Sequence, residues 1–278
     1  MTITARLHGR LGNQMFQYAA ARSLAVRRGT SPALDTRTAE HKGEGDLRRV
    51  FDLPDLVEPA DLPPAKHQST LGHAWARLTR RTYKREDGLG YNPTFPLWPD
   101  GSYLHGYWQC ERYFEDIAND IRRTFAPKHP MSAQNAEMAA RIASGPSISL
   151  HVRRGDYVGL GAMAQCDQAY YDAALAKVAE GVEAPTVYVF SDDPGWAKDN
   201  LPLPFDKVVV DHNGPDTDYE DLRLMGLCDH NVIANSSFSW WGAWLGETDT
   251  SRIAGPKAWF APGKPQNPDI LPARWFAI

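Results

Sequence analysis

The chain has 278 residues, of which 42% are hydrophobic, 23% charged and 11% aromatic; this balance excludes collagenous, coiled-coil and disordered chains and fits one large domain or two ordinary ones. A net charge of −4 removes the global basic footprint expected of a nucleic-acid binder. Cys110, Cys166 and Cys228 lie far apart with no CxxC pair, which suggests neither a disulfide framework nor a zinc site and makes a reducing, cytoplasmic compartment the simplest expectation.

Met1 to Asn13 carries no apolar stretch of the secretory-signal kind, and no later run approaches the ~18 apolar residues of a membrane span. Thr2 to Leu7 alternates as a short strand. After the glycine turn Gly9-Arg10-Leu11-Gly12, the spacing of Met15, Phe16, Ala19, Ala20 and Leu24 predicts a helix stopped by Gly29. The turn has neither dinucleotide nor P-loop spacing. It either aims backbone N–H groups at an anion, with Arg10 and Asn13 beside them, or is a plain turn capped by Asn13. Gln68 to Arg85 reads as a helix with Arg77, Arg80, Arg81 and Lys84 on one face and Trp75 and Leu78 on the apolar side. That face is either a solvated surface or a rest against anionic headgroups. A strand at Tyr103–Gln109, a helix at Arg112–Phe125 and a linker at Pro127–Pro130 close the first half, dividing 1–130 from 131–278.

Beyond the linker the pattern becomes regular. Apolar, β-branched segments at Ile148–Val152, Thr186–Phe190, Lys207–Val210, Asn231–Ala234 and Arg252–Ala254 alternate with helical patterns at Tyr170–Val178, Pro194–Asn200, Tyr219–Cys228 and Trp240–Gly246. Buried strands alternating with helices predict an α/β fold with a parallel sheet, whose ligands sit outside the carboxyl ends of the strands.

Three of those ends carry chemistry. In Ser149–Tyr157, alternation puts His151 and Arg153 on one face, with Arg154 and Asp156 on the turn. Paired guanidinium forks at a buried strand end suit phosphate oxygens; the alternative is an internal Arg154–Asp156 ion pair bracing the turn. In Phe190-Ser191-Asp192-Asp193-Pro194, one of Ser191, Asp192 and Asp193 suits a helix N-cap, and a second acid suits guanine or ribose. In Asn235-Ser236-Ser237-Phe238, hydroxyls and N–H groups at a helix start offer a second phosphate site, and Phe238 a stacking surface. Trp240, Trp241 and Trp244 fall on one helical face and read as core. Asp216-Thr217-Asp218 spells a D-x-D, but its Gly-Pro context reads as helix capping. No other carboxylate or histidine group has metal-ligand spacing.

Taken in order, GRLGNQMFQYAAARSLA, YLHGYWQCERYF, HVRRGDYV, VFSDD and HNVIANSSFSWWGAWLG resemble the bacterial α-1,2-fucosyltransferases over nearly the whole chain. The HxRR and Ser-Ser-Phe elements are similar to those of protein O-fucosyltransferases and α-1,6-fucosyltransferases. The resemblance implies a GT-B-like fold of two facing Rossmann-type domains with parallel sheets, 1–130 on the acceptor side and 131–278 binding the GDP-sugar. It implies metal-independent, inverting transfer of L-fucose from GDP-β-L-fucose to the 2-hydroxyl of a terminal galactose or related sugar, without a cofactor, in bacterial glycan biosynthesis of the O-antigen kind. The acceptor is then a galactose-containing oligosaccharide or lipid-linked glycan, met by a cytoplasmic enzyme, and of the two readings of 68–85 the headgroup contact would seat it peripherally on the inner membrane face.

Carried over by residue, Arg153 holds the β-phosphate, His151 and Asp192 address the guanosine end, and Ser236, Ser237 and Phe238 line diphosphate and base. Arg154, Ser191 and Asn235 complete the donor set. Arg10 and Asn13 meet fucose and acceptor across the cleft. Asp156, the nearest carboxylate to Arg153 in sequence, is either the base or a brace for the arginines. Gly159 to Gln165 lacks a histidine that many relatives carry before the Cys-x-x-x-Tyr-Tyr element, a departure in a loop that the resemblance turns toward the acceptor. Alternative readings are a fucosyltransferase of another linkage, a transferase for another GDP-sugar, and a non-catalytic carbohydrate-binding protein.

Overall fold

Strands that are apolar on both faces must be covered by helices on both faces, and the chain builds such a layered sheet twice. The computed structural model describes residues 1–154, 163–164 and 166–278. Two units result: Met1–Lys128 with Asn267–Ile270, and His129–Gln266 with Leu271–Ile278.

The first unit runs β1 (Thr2–Arg6), α1 (Leu11–Arg28), β2 (Ser31–Asp35), α2 (Arg37–Lys42), α3 (Thr70–Thr79), β3 (Tyr83–Arg85), β4 (Tyr103–His105) and α4 (Ala118–Thr124). Its four strands pair in the order β2-β1-β4-β3, all parallel. Helix α1 ends as expected at Gly29, whose φ of 61° closes the last turn. Its start differs from the sequence reading: Arg10 holds the N-cap position, so Asn13 lies inside the first turn and is not the cap. The expected helix over 68–85 is α3 alone, capped by Ser69, whose Oγ accepts from the Gly72 N–H at 3.1 Å. Arg80 then turns extended and Tyr83–Arg85 joins the edge of β4, so Lys84 belongs to a strand. The stretch Arg112–Phe125 breaks at Phe114, which leaves helical geometry to enter the core, and only α4 is a full helix.

The second unit contains α5 (Ala133–Ile142), β5 (Ser147–Val152), α6 (Gln168–Val178), β6 (Thr186–Ser191), α7 (Pro194–Asn200), β7 (Lys207–Val210), α8 (Asp218–Leu227), β8 (His230–Val232), α9 (Ser237–Gly246), β9 (Ile253–Gly255) and β10 (Phe276–Ala277). All strand pairs are parallel, in the order β10-β9-β8-β5-β6-β7. Counted within the unit this is 6-5-4-1-2-3, the doubly wound order whose ligand crevice opens between its first and fourth strands, here β5 and β8. Ile148, Leu150 and Val152 pack under α6 and α7, while Tyr188 and Phe190 pack on the opposite face under α5 and α8. Trp240, Trp241 and Trp244 are fully buried, as their spacing predicted. Helices α8 and α9 touch closely because Gly226 and Gly246 meet; a Cβ on Gly246 would overlap the Gly226 carbonyl oxygen.

Candidate active site

At the switch point the chain leaves β5 through Arg153-Arg154 and β8 through Asn235-Ser236. Strand alternation sends Val152 into the α6 face and His151 and Arg153 to the other. His151 is buried, with its ring centroid 6.0 Å from that of Phe238. Burial and the neighbouring Arg153 push its pKa down to about 3, so the imidazole is neutral, and its buried Nδ1 has no hydrogen-bond partner.

Arg153 Nε lies 3.1 Å from Asp192 Oδ2, the side chains being 15% and 22% exposed. The other Asp192 oxygen accepts the Arg154 backbone N–H at 2.9 Å. One carboxylate therefore pins both the Arg153 side chain and the turn that carries it. The resemblance placed Asp192 at the guanosine end; here both its oxygens engage residues 153 and 154. Arg154 turns away, with its guanidinium 3.8 Å from the centre of the Trp196 ring and its Nε 3.9 Å from Asp193. Asp156, the candidate base or brace, lies outside the described residues, as do 159–162 and Gln165 of the loop that follows.

Of the three capping candidates after β6, Asp193 takes the role. Its Oδ1 accepts the Trp196 N–H at 3.0 Å with Pro194 in the first turn of α7. Ser191 supports it, its Oγ accepting the Asp193 N–H at 3.0 Å.

After β8, Ser236 is the N-cap of α9, its Oγ accepting from the Phe238 N–H at 3.3 Å, and Ser237 opens the helix. No acidic side chain occupies the first turn, so the positive end of the helix dipole is not neutralised from within. Phe238 is half-buried against the core under α5 and α8. The Asn235 side chain, expected in the donor set, is engaged within the protein. Both side-chain amide protons are spent, on the Ala164 and Trp259 carbonyls at 2.8 Å each, so the side chain ties loops together.

A cavity of about 280 Å³ opens beside the arginines, lined by Val152, Arg154, Cys166, Tyr171, Trp196 and Leu201. Asp216-Thr217-Asp218 leads into α8 with Thr217 at the N-cap position, and among the described residues no three His, Cys, Asp or Glu side chains are grouped to hold a metal ion. Arg10 and Asn13 lie in the first unit. Arg10 is exposed, and Asn13 accepts from Gln109 Nε2 at 2.8 Å. Sequence reasoning missed Trp196, although an indole next to a Pro-Gly pair at a helix start is a visible signal.

The sequence profile of glycosyl transferase family 11 matches residues 93–276. The chain is 31% identical to an α-1,2-colitosyltransferase of Escherichia coli, over 99% of this chain and 98% of that one. It is 27% identical to the O-antigen biosynthesis glycosyltransferase WbnK of E. coli, over 92% and 94%. With galactoside α-(1,2)-fucosyltransferase 1 of Homo sapiens it shares 26% identity over 91% of this chain and 68% of the other. Among solved structures, the fucosyltransferase NodZ from Bradyrhizobium superposes with a TM-score of 0.53 at 16% identity, covering 86% of this chain and 90% of that one. A NodZ α-1,6-fucosyltransferase soaked with GDP-fucose superposes with a TM-score of 0.54 at 15% identity, covering 87% and 91%. The α/β, parallel-sheet, GT-B-like fold expected from the sequence is the one the chain has.

Proposed function

The chain belongs to glycosyl transferase family 11, and on that premise we propose that it transfers L-fucose from GDP-β-L-fucose to the 2-hydroxyl of a terminal galactose, with inversion and without a metal. The bond from the anomeric carbon to the β-phosphate oxygen breaks, and a bond from that carbon to the acceptor oxygen forms. The acceptor's proton goes to a base, for which Asp156 is our candidate. GDP leaves with charge gathering on the β-phosphate.

The observation that carries this reading is Arg153, at the carboxyl end of β5 and oriented by Asp192 from the end of β6, with α9 starting after the neighbouring strand β8. A guanidinium and helix N–H groups supply in the transition state what a divalent ion supplies elsewhere. The donor set is then Arg153 with Ser236, Ser237 and Phe238, His151 packing behind them as a neutral ring.

The 31% identity to a colitosyltransferase favours a second reading of the donor. Colitose is fucose without its 3-hydroxyl. A site that hydrogen-bonds a hydroxyl rejects the analogue lacking it by ~10⁴–10⁵, whereas an apolar site rejects an added hydroxyl by only ~10². One experiment tests both levels. GDP, UDP and ADP are compared by thermal shift with and without EDTA, and GDP-fucose and GDP-colitose by kcat/KM. GDP should stabilise the chain with EDTA present, and GDP-fucose should be preferred. Loss of GDP binding and transfer on adding EDTA would overturn the metal-free mechanism, and preference for GDP-colitose would overturn fucose.

The same reading places the enzyme in the cytoplasm, at the inner face of a membrane. No helix among the described residues is long and apolar enough to cross one. Helix α3, however, holds Leu71, Trp75 and Leu78 at 85%, 70% and 84% exposure along one stripe while His73 and Ala76 are buried on the other side. Exposed Arg77 and Arg81 flank the stripe, which supports reversible docking on anionic headgroups that carry a lipid-linked acceptor.

A further inference from the structure

The first unit has its own switch point. In the order β2-β1-β4-β3 the chain leaves β1 toward β2 and enters β4 from β3, so a crevice opens outside the carboxyl ends of β1 and β4. Its two walls are held by polar side chains, Gln14 and Gln17 buried and Glu86 half-buried. On the β1 side the Gln17 amide pairs with both the N–H and the carbonyl of His8, at 3.0 Å each, and Gln14 Nε2 donates to the Gly9 carbonyl at 2.9 Å. On the β4 side the Glu86 carboxylate accepts the N–H groups of Tyr107 and Trp108 at 2.7 and 2.8 Å. A Cβ on Gly106 would run into Glu86.

This clamp holds Trp108 at a φ of 57°, a left-handed conformation that an indole residue rarely adopts, and buries its side chain completely. Strain that is over-determined in this way points to function. What the turn leaves outside is the Tyr107 ring, 41% exposed. It stands edge-on to the His8 ring, with centroids 4.4 Å apart. His8 Nε2 is buried there without a hydrogen-bond partner. Burial and Arg6 lower the His8 pKa to about 4, so the ring is neutral and retains an acceptor lone pair. Gln109, on the same turn, reaches Asn13.

We propose that this crevice seats the acceptor's sugar, with Tyr107 stacking on the C–H face of a galactopyranose and His8 Nε2 accepting a hydrogen bond from one of its hydroxyls once the Tyr107 ring swings aside. The inference rests on the glycosyltransferase reading and adds to it the residues that would read the acceptor.

The test is saturation-transfer NMR in the presence of GDP, with methyl β-D-galactopyranoside, lactose and methyl N-acetyl-β-D-glucosaminide as probes. Wild type is compared with Tyr107→Ala, Tyr107→Phe, Tyr107→Trp and His8→Phe. At least one galactoside should saturate in the wild type. Its signal should fall roughly fivefold in Tyr107→Ala, the weight of an aromatic contact of ~1 kcal/mol. It should survive in the Phe and Trp variants and weaken in His8→Phe, which keeps a ring and loses the acceptor. Tyr107 is exposed, so its variants are expected to keep the wild-type thermal midpoint. A galactoside signal unchanged in Tyr107→Ala, or no sugar signal in the wild type, would overturn the proposal. GDP affinity on the same samples separates the two levels, because GDP binding without a Tyr107-dependent sugar signal sinks only this inference, whereas absent GDP binding sinks the reading beneath it.

Discussion

Replacing Asp192 by asparagine removes one charge and almost no volume, and separates two roles that adjacent aspartates would otherwise blur. At 3.1 Å and an effective dielectric of ~20, the gross attraction between Arg153 and Asp192 is about 5 kcal/mol. After the desolvation of two partly buried groups, a hydrogen bond between charged partners nets ~1.5–3 kcal/mol. That energy orients a guanidinium, and a misplacement of ~1 Å at a reacting centre costs ~10² in rate. Asp192→Asn should therefore lower kcat by roughly 10- to 100-fold. Its effect on GDP affinity should be small, because lost orientation and the removal of a negative charge near the diphosphate oppose one another. Asp193→Ala should do the reverse. It removes the α7 cap, costs ~1 kcal/mol of stability and leaves kcat near wild type. The assay pairs GDP release from GDP-fucose, with lactose as acceptor, with calorimetric GDP binding and thermal melts. If Asp192→Asn melted early at full kcat while Asp193→Ala lost activity, the two assignments would be exchanged and the reasoning from geometry would fail.

Arg153→Lys should lose ~10²–10³ in kcat, the cost of one transition-state donor, while Arg154→Lys, whose parent guanidinium lies over Trp196, should be much milder; equal losses would contradict the strand alternation. Asp221, whose pKa burial and the nearby Asp218 and Glu220 raise to about 7, makes the folded chain bind more protons than the unfolded one between pH ~4 and ~7, so stability falls as pH rises through that window. Asp221→Asn should remove this slope and gain on wild type above pH 7 by at most ~4 kcal/mol; parallel melting curves from pH 4.5 to 8 would refute it. For α3, the protein should co-sediment with phosphatidylglycerol vesicles at low salt and lose this in a Leu71→Ser, Trp75→Ser, Leu78→Ser triple variant, each basic residue adding ~1 kcal/mol. Indifference to anionic vesicles at low salt would make α3 ordinary surface.

The second unit was readable because β6 and β7 are nearly continuous apolar runs and β5 alternates Ile148, Leu150 and Val152 with small or polar residues, and short apolar-rich segments bounded by turns signal themselves. The first unit shows β1 and β4 in its sequence but hides β2 and β3. In β2, Ser31-Pro32-Ala33-Leu34-Asp35 carries a proline and an acid yet is buried from Pro32 to Asp35. Asp35 is accommodated by Arg37 and the Tyr103 hydroxyl at 2.8 and 2.7 Å, partners chosen by the fold. At three residues, β3 is too short for any period and merges with the basic run before it. The break at Phe114 likewise reflects a demand of the core that helical periodicity does not express.

In the site, alternation along β5 was enough to pair His151 with Arg153, because that rule is local. The partner of Arg153 was hidden because it is set by register. Val152 lies opposite Ser191 in the β5–β6 pair, and that register brings Asp192 beside Arg153 although the two are far apart along the chain. Asp156, the nearest carboxylate in sequence, lies outside the described residues, and the carboxylate of Asp192 reaches Arg153 from another strand, which no local rule along the chain can announce. Asn235 shows the same thing from the other side: its place after β8 marks it as a ligand, while the two carbonyls that consume its amide protons come from residues 164 and 259. A strand end in a parallel sheet thus announces that chemistry belongs there, and the register of the neighbouring strands decides which side chains perform it and which hold them in place.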